Sequence, residues 1–326
     1  MESCLDNSSF SATVSLPNYS MKLKLGFIAA LSTLYPAVVD AQQIPDLDYN
    51  PPITSPAYPQ NEGPRVSIDE AHHNFHTAVG RYQAFARLLR RDGYVIDRHR
   101  KKISSSSLEK VDVLVIANPI HKQNDGDWSL PTPSAYTPKE IEAIHSWVED
   151  GGSLLLIADH MPFPGGAGDL AQSFGITFSN GFAYPGNKTR GKPDLFRLNS
   201  GLEESLVTQG RNAKETVSKI ASFTGSAFKP PASAIPIMVF GPGSYSLEPE
   251  KAWDFKESTP RVPIDGWCQS AIMTVGNGRI AVFGEAAMFT AQRAGPSKRP
   301  MGMSRPEASQ NHQLLLNVMH WLTGLL

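Results

Sequence analysis

Residues 137–158 read TPKEIEAIHSWVEDGGSLLLIA, and their interpretation decides the fold. Thr137-Pro138-Lys139-Glu140 has the form of a capping box with proline at the first helical position, which supplies partners to the orphan amides of a helix start. Ile141, Ile144, Trp147 and Val148 recur at helical spacing, and Gly151-Gly152 stops the helix. Ser153–Ala158 (SLLLIA) follows at once as an apolar run of strand length. A strand with no polar alternation is covered on both faces, as in a parallel sheet flanked by helices.

The same pattern extends outward. Val111–Ala117 (VDVLVIA) is a second wholly buried strand, and Arg65–Ile68 a shorter one. Between them, His76–Arg91 places Val79, Tyr82, Phe85, Ala86 and Leu89 on one helical stripe that stops at Gly93. Towards the C-terminus, Ile220–Phe223 and Ile235–Phe240 are strand candidates, while 179–210 is rich in Gly, Asn and Lys and less regular. Ser270–Val275 and Arg279–Phe283 flank Gly276-Asn277-Gly278, a hairpin signal. Asn311–Leu325 closes the chain as a helix, with Leu315, Val318, Met319 and Leu322 at helical spacing. Strands alternating with helices predict an α/β fold: a mostly parallel sheet, helices on both faces, and an antiparallel hairpin near the C-terminus.

Composition bounds the partners. The 326 residues carry 30 Lys+Arg against 31 Asp+Glu, so no basic field exists to hold a phosphate backbone and no nucleic-acid partner is expected. Two cysteines, Cys4 and Cys268, cannot build a disulfide framework or a zinc ribbon. Met21 is followed by Lys22, Lys24, an apolar run from Leu25 to Leu34, and small residues up to Ala41. That order is the order of a signal peptide over residues 21–41, too short to span a bilayer. It predicts a secreted or periplasmic protein without a stable membrane anchor, and makes residues 1–20 a gene-model extension. Residues 42–64, with Pro45, Pro51, Pro52, Pro56, Pro59 and Pro64, read as a linker, leaving 65–326 as a single domain.

Two apparent nucleotide motifs fail. Asp69-Glu70-Ala71-His72 spells a helicase box, and residues 186–192 (GNKTRGK) approach a phosphate loop. Pro193 stands where that loop needs Ser or Thr for magnesium, no buried strand precedes Gly186, and the order of the two is reversed. No nucleotide cofactor is expected.

Polar residues cluster where the predicted strands end, the edge that lines the ligand crevice of an open α/β sheet. Asp69, Glu70, His72, His73, Asn74 and His76 follow the first strand, Asn118 the second apolar one, Asp159 and His160 the third, and Glu285 the strand ending at Phe283. Asn311 and His312 open the last helix. Each has an ordinary reading: Asp159 or Asn311 alone reads as a helix cap, and Tyr136, Trp128 and Trp267 read equally as packing or as a ligand's cover. Convergence at three strand ends favours a site.

The runs TPKEIEAIHSWVEDGGSLLLIADH and GRIAVFGEAAMFTAQ, with NHQLLLNVMHWLTG at the end, resemble the class I glutamine-amidotransferase-like superfamily. The likeness is to its secreted branches of unknown function and to trehalose-utilisation-like proteins. It covers residues 65–325 and implies a flavodoxin-like sheet in one amidotransferase-like domain. Those enzymes carry a cysteine nucleophile in a tight elbow after a central strand, and here that turn carries Asp159, His160 and Met161. Glutamine hydrolysis through a thiol is therefore not expected, and no G-x-S-x-G elbow supplies a serine.

Two readings of different class remain. In the first, the chain is a metal-assisted or acid–base hydrolase of a small carbohydrate- or peptide-like substrate, with Asp159, His160 and Glu285 catalytic. His72 and His76, at i and i+4 of one helix start, would share a divalent ion such as zinc. In the second, the crevice binds a sugar or peptide without turnover, through Asp69, His73, Asn74, Asn118, Asn311 and His312. The number of ionisable groups exceeds what a neutral ligand needs and favours chemistry.

Overall fold

The computed structural model describes residues 43–189 and 191–326. The expected extension at 1–20 and signal peptide at 21–41 lie outside the described residues. The first half of the chain supplies strands β1 (Arg65–Asp69), β2 (Val95–His99), β3 (Val113–Ala117) and β4 (Ser153–Ile157). The second supplies β5 (Asp194–Leu198), β6 (Gly201–Leu202), β7 (Lys219–Ser222), β8 (Ile235–Val239), β9 (Cys268–Val275) and β10 (Gly278–Phe283). They belong to a 12-stranded sheet, in the order β7-β5-β6-β8-β9-β10-β4-β3-β1-β2, with two short strands off this path. One half of it, from β10 through β4, β3 and β1 to the edge strand β2, is parallel throughout. β9 and β10 form an antiparallel hairpin through Gly276-Asn277, and β8 continues antiparallel from β9. Gly276 turns at φ 57, where an L side chain would be strained.

Alternation along the buried strands divides the interior into two cores. On β3, Val113, Val115 and Ala117 face one core, and Leu114 and Ile116 face the other. β4 sends Leu155 and Ile157 one way and Leu154 and Leu156 the other, and β10 divides Ala281 and Phe283 from Ile280 and Val282. Helices α1 (Gln83–Arg91) and α4 (Asn311–Leu322) cover the first face with Phe85, Leu89, Leu315 and Met319. Helices α2 (Pro138–Glu149) and α3 (Phe163–Ser173) cover the second with Ile144, Val148, Leu170 and Ala171. Each large aliphatic or aromatic side chain so buried contributes about 1.5–3 kcal/mol. Together the two cores fix the sheet, and the sheet fixes its carboxyl edge.

The helix expected over His76–Arg91 begins instead at Gln83. Residues 70–82 are pinned across the end of β3, where Phe75 N–H donates to the Asn118 carbonyl (2.9 Å) and Ile120 N–H to that of His72 (3.0 Å). These bonds spend amides and carbonyls that a helix would need, and Val79, assigned to the buried stripe, is 58% exposed.

The proline-rich segment expected as a linker is laid against the domain. Gln43–Pro45 pairs antiparallel with Ala291–Ala294, and Tyr49, Ile53 and Tyr58 pack on the first core. Arg87 and Arg91 of α1 donate to the carbonyls of Leu47 and Pro51. Prolines suit such a strap because they have no amide to leave unsatisfied. Among the described residues no helix is long and apolar enough to cross a membrane.

Candidate functional site

A cavity of ≈ 840 Å³ opens at the carboxyl ends of the parallel strands, lined among others by His76, Asn118, Asp159, His160 and Glu285. Asn118 organises it. It follows β3 at φ 52, a left-handed conformation that asparagine tolerates. Its Oδ1 accepts from Asp159 N–H (2.9 Å), so its amide nitrogen is what faces His76 Nδ1 at 3.1 Å. His76 Nδ1 is therefore an acceptor, and the neutral ring carries its proton on Nε2. Burial holds this imidazole well below the usual histidine range, and the Arg81 charge, with that of His160 whenever its ring is protonated, lowers it further.

His160 has the opposite tautomer. Its Nδ1 lies 2.7 Å from the Met161 carbonyl oxygen, which can only accept, so Nδ1 carries the proton and the neutral ring presents Nε2 as a lone pair. The ring is stacked on Phe182 (centroids 4.5 Å, 11°) and meets Trp253 edge-on at 4.7 Å. Packing so tight leaves it one orientation.

Two buried carboxyl groups complete the arrangement. Asp159 accepts from His160 N–H (2.7 Å) and Ala286 N–H (3.2 Å); Glu285 accepts from the next two amides, Ala287 (2.7 Å) and Met288 (2.8 Å). Burial and then the Asp159 charge push Glu285 well above the usual carboxylate range. Burial raises Asp159 too, but a protonated His160 and the amides of His160 and Ala286 oppose it. Each carboxylate charge disfavours ionisation of the other, and burial acts in the same direction on both. Gly225 lets the preceding loop pass here: at φ 153, a Cβ on it would lie 2.3 Å from the Gly284 carbonyl and 2.9 Å from Glu285 Cγ.

Other residues expected at the site lie elsewhere. Asp69 is fully buried behind the cavity, accepting from His72 Nδ1 (2.8 Å), Asn74 Nδ2 (3.1 Å) and the Tyr136 hydroxyl (2.8 Å). His72 Nε2 contacts Glu140 Oε1 at 3.1 Å, so both its ring nitrogens are engaged by carboxylates. Two observations count against the joint metal reading of His72 and His76: residues 70–82 form no helix to align them, and both ring nitrogens of His72 meet carboxylates. Among the described residues no cluster of three or more His, Cys, Asp or Glu is placed to hold a metal ion. His73 pairs at the surface with Asp125 (2.9 Å), and Asn74 accepts from His72 N–H (3.0 Å). Asn311 ties Ala221 of β7 to the Met288 carbonyl, bracing the turn that holds Glu285. His312 is half-buried on α4, away from the cavity lining.

Sequence reading missed Phe75, Arg81, Thr224, Gln292 and Trp253, which also line the cavity. Trp253, at φ 69 and 54% exposed, comes from a loop with no strand-end signal.

Cys268 is 1% exposed on β9, and burial pushes its thiol up to about 12. Cys268→Ala should leave ligand binding at the cavity unchanged and lower stability by about 1 kcal/mol through a small void. Denaturant melts and a slow thiol-reagent reaction of the native protein check this. Rapid alkylation that abolishes binding would show the thiol to be reactive.

No family model matches the chain, and no curated protein matches it. Among solved structures it is similar to the mmIFT52 N-terminal domain at 15% identity and TM-score 0.55, covering 79% of this chain and 97% of that one. A ThuA-like protein of Bacteroides uniformis aligns at 15% identity and TM-score 0.46, covering 85% and 95%. A β-galactosidase from Bacillus circulans sp. alkalophilus aligns at 10% identity and TM-score 0.40, covering 78% of this chain and 30% of that one. The first of these likenesses is one of fold.

Proposed function

We propose that the chain is an exported acid–base hydrolase of a small carbohydrate-like substrate, on a flavodoxin-like scaffold that lacks the amidotransferase thiol. The observation that carries this reading is the pair of ring orientations: the neutral His160 ring would offer a lone pair on Nε2 and the neutral His76 ring a proton on Nε2, both rings lining one cavity with Glu285, whose ionisation burial disfavours. The strand order β2-β1-β3-β4 supports the scaffold, because its switch point puts ligands at this edge. The Lys, apolar and small-residue order of residues 21–41 supports export.

In the reaction, His160 Nε2 takes a proton from a water whose oxygen attacks the substrate carbon. The bond to the leaving oxygen breaks as Glu285 gives that oxygen its proton. Glu285 is left ionised under the amides of Ala287 and Met288, and the His160 imidazolium is stabilised by Asp159 next in the chain. The proton returns to Glu285 through solvent, closing the cycle. His76 Nε2–H orients a substrate oxygen, and the Trp128 and Trp253 faces suit the C–H face of a sugar ring.

The test is a panel of disaccharides and dipeptides, scored by new reducing ends or amines. Hydrolysis of a disaccharide is expected with a bell-shaped pH profile. Its alkaline limb belongs to Glu285, whose raised pKa keeps the donor proton until pH passes through it, and Glu285→Gln should remove that limb. Saturable binding with no turnover across the panel would instead make the chain a carbohydrate-binding domain.

A further inference from the structure

Arg81 lines the cavity, and the acid–base steps leave it unused. Several other arginines meet a carboxylate: Arg98 with Glu70 (2.6 Å), Arg211 with Glu215 (2.6 Å), Arg305 with Glu307 (2.7 Å). Among the described residues, Arg81 has no carboxylate at ion-pair distance. Its Nε is buried without a hydrogen-bond partner, and its guanidinium carbon lies 4.0 Å from the Phe75 ring centroid. An aromatic face offsets only part of the cost of removing a cation from water. A cation held in a substrate cavity without a protein partner is matched to an anion that arrives with the substrate.

We propose that the substrate carries an anionic substituent, a carboxylate or a phosphate, and that Arg81 receives it. This rests on reading the cavity as the substrate site, and it narrows the substrate to anionic carbohydrate-like molecules such as uronates or sugar phosphates. Arg81 is then a specificity residue, distinct from the groups that move protons.

Trp128 and Trp253 line the same cavity, so tryptophan fluorescence reports occupancy. The probes are D-glucuronate, D-glucose 6-phosphate and D-glucose, titrated into the full chain and into Arg81→Gln and Arg81→Lys. At least one anionic probe should saturate with tenfold or greater preference over glucose, and comparison of the two identifies the anion. Arg81→Gln should abolish that preference, and Arg81→Lys should retain part of it, since an ammonium keeps the charge but not the planar fork. The melting temperature of Arg81→Gln should equal or exceed that of the parent, because a partly buried cation without a carboxylate partner has been removed. Equal binding of glucose, an unchanged preference in Arg81→Gln, or no saturation by either anion overturns the proposal. The readout needs no turnover, so anion binding that persists without hydrolysis would defeat the hydrolase reading and leave this one standing. Hydrolysis of neutral sugars unaffected by Arg81→Gln would do the reverse.

Discussion

His160→Ala is expected to lower turnover by about 10²–10⁴-fold, the usual contribution of a positioned general base. The ring lines the cavity and, when neutral, keeps its lone pair on Nε2, because its other nitrogen is held by the Met161 carbonyl at 2.7 Å. Substrate affinity should change far less than the rate, since the aromatic walls and Arg81 remain. Glu285→Gln should cost a similar factor, and the double variant little more than either single one, because base and acid act in the same step. Steady-state kinetics on the substrate found in the panel measure all three. A His160→Ala enzyme within threefold of the parent, correctly folded by circular dichroism, would remove His160 from the mechanism.

The second large effect is on stability, and it falls on a histidine that sequence pattern assigned to metal. His72→Ala should destabilise the fold by about 3–5 kcal/mol, the cost of leaving buried charge unpaired. Asp69 and Glu140 are both nearly inaccessible, and His72 lies between them at 2.8 and 3.1 Å. Burial alone would lower the His72 pKa, but the hydrogen bonds and charges of Asp69 and Glu140 outweigh it and raise the value above 6.5. Burial would likewise raise Glu140, yet bonds from Thr137 and His72 pull it down to about 2. The signs define a window. A raised histidine stabilises fully below its unfolded value of about 6.5 and loses that contribution as pH rises through its folded value. A depressed carboxylate stabilises above its unfolded value, near 4.5, and loses that as pH falls towards about 2. The difference between parent and His72→Ala should therefore be greatest between about pH 4.5 and 6.5 and shrink above it. Urea melts at pH 5.5 and 8.5 test this, and a difference that grows with pH would contradict it.

The parallel half of the sheet was legible because its strands are buried on both faces, so VDVLVIA and SLLLIA carry an unbroken apolar signal. The antiparallel wing was less so. β5 mixes exposed, intermediate and buried residues and β6 has only two residues, which leaves little period to detect in a glycine-rich stretch. Strand ends led to Asn118, Asp159, His160 and Glu285, because topology places whatever follows a parallel strand at one edge. The same rule overreached at Asp69 and His72, where Glu140 and Tyr136 from the next crossover close over them. Glu140 shows why: read as a capping-box residue, it does cap, with Oε2 accepting from Thr137 N–H, while Oε1 reaches His72. A local motif says nothing about its spare oxygen. Arg81 and Trp253 were invisible because loop conformation, not periodicity, brings them to the cavity.

The order in which the chain is made gives the hairpin β9–β10 a kinetic meaning. β4 is synthesised early, but its parallel neighbour β10 arrives only after the whole antiparallel wing. Asp159 likewise waits for the Ala286 amide, 127 residues later. Until then β4 is an unpaired apolar edge, the kind of surface on which nascent chains aggregate. The wing must therefore fold, or be shielded, before the cavity exists, and closing loops of that length makes assembly slow relative to helical domains of similar size. A chain ended before Gly278 would have its first core half-covered and no cavity, so the groups that line the cavity come together only in the last stage of synthesis.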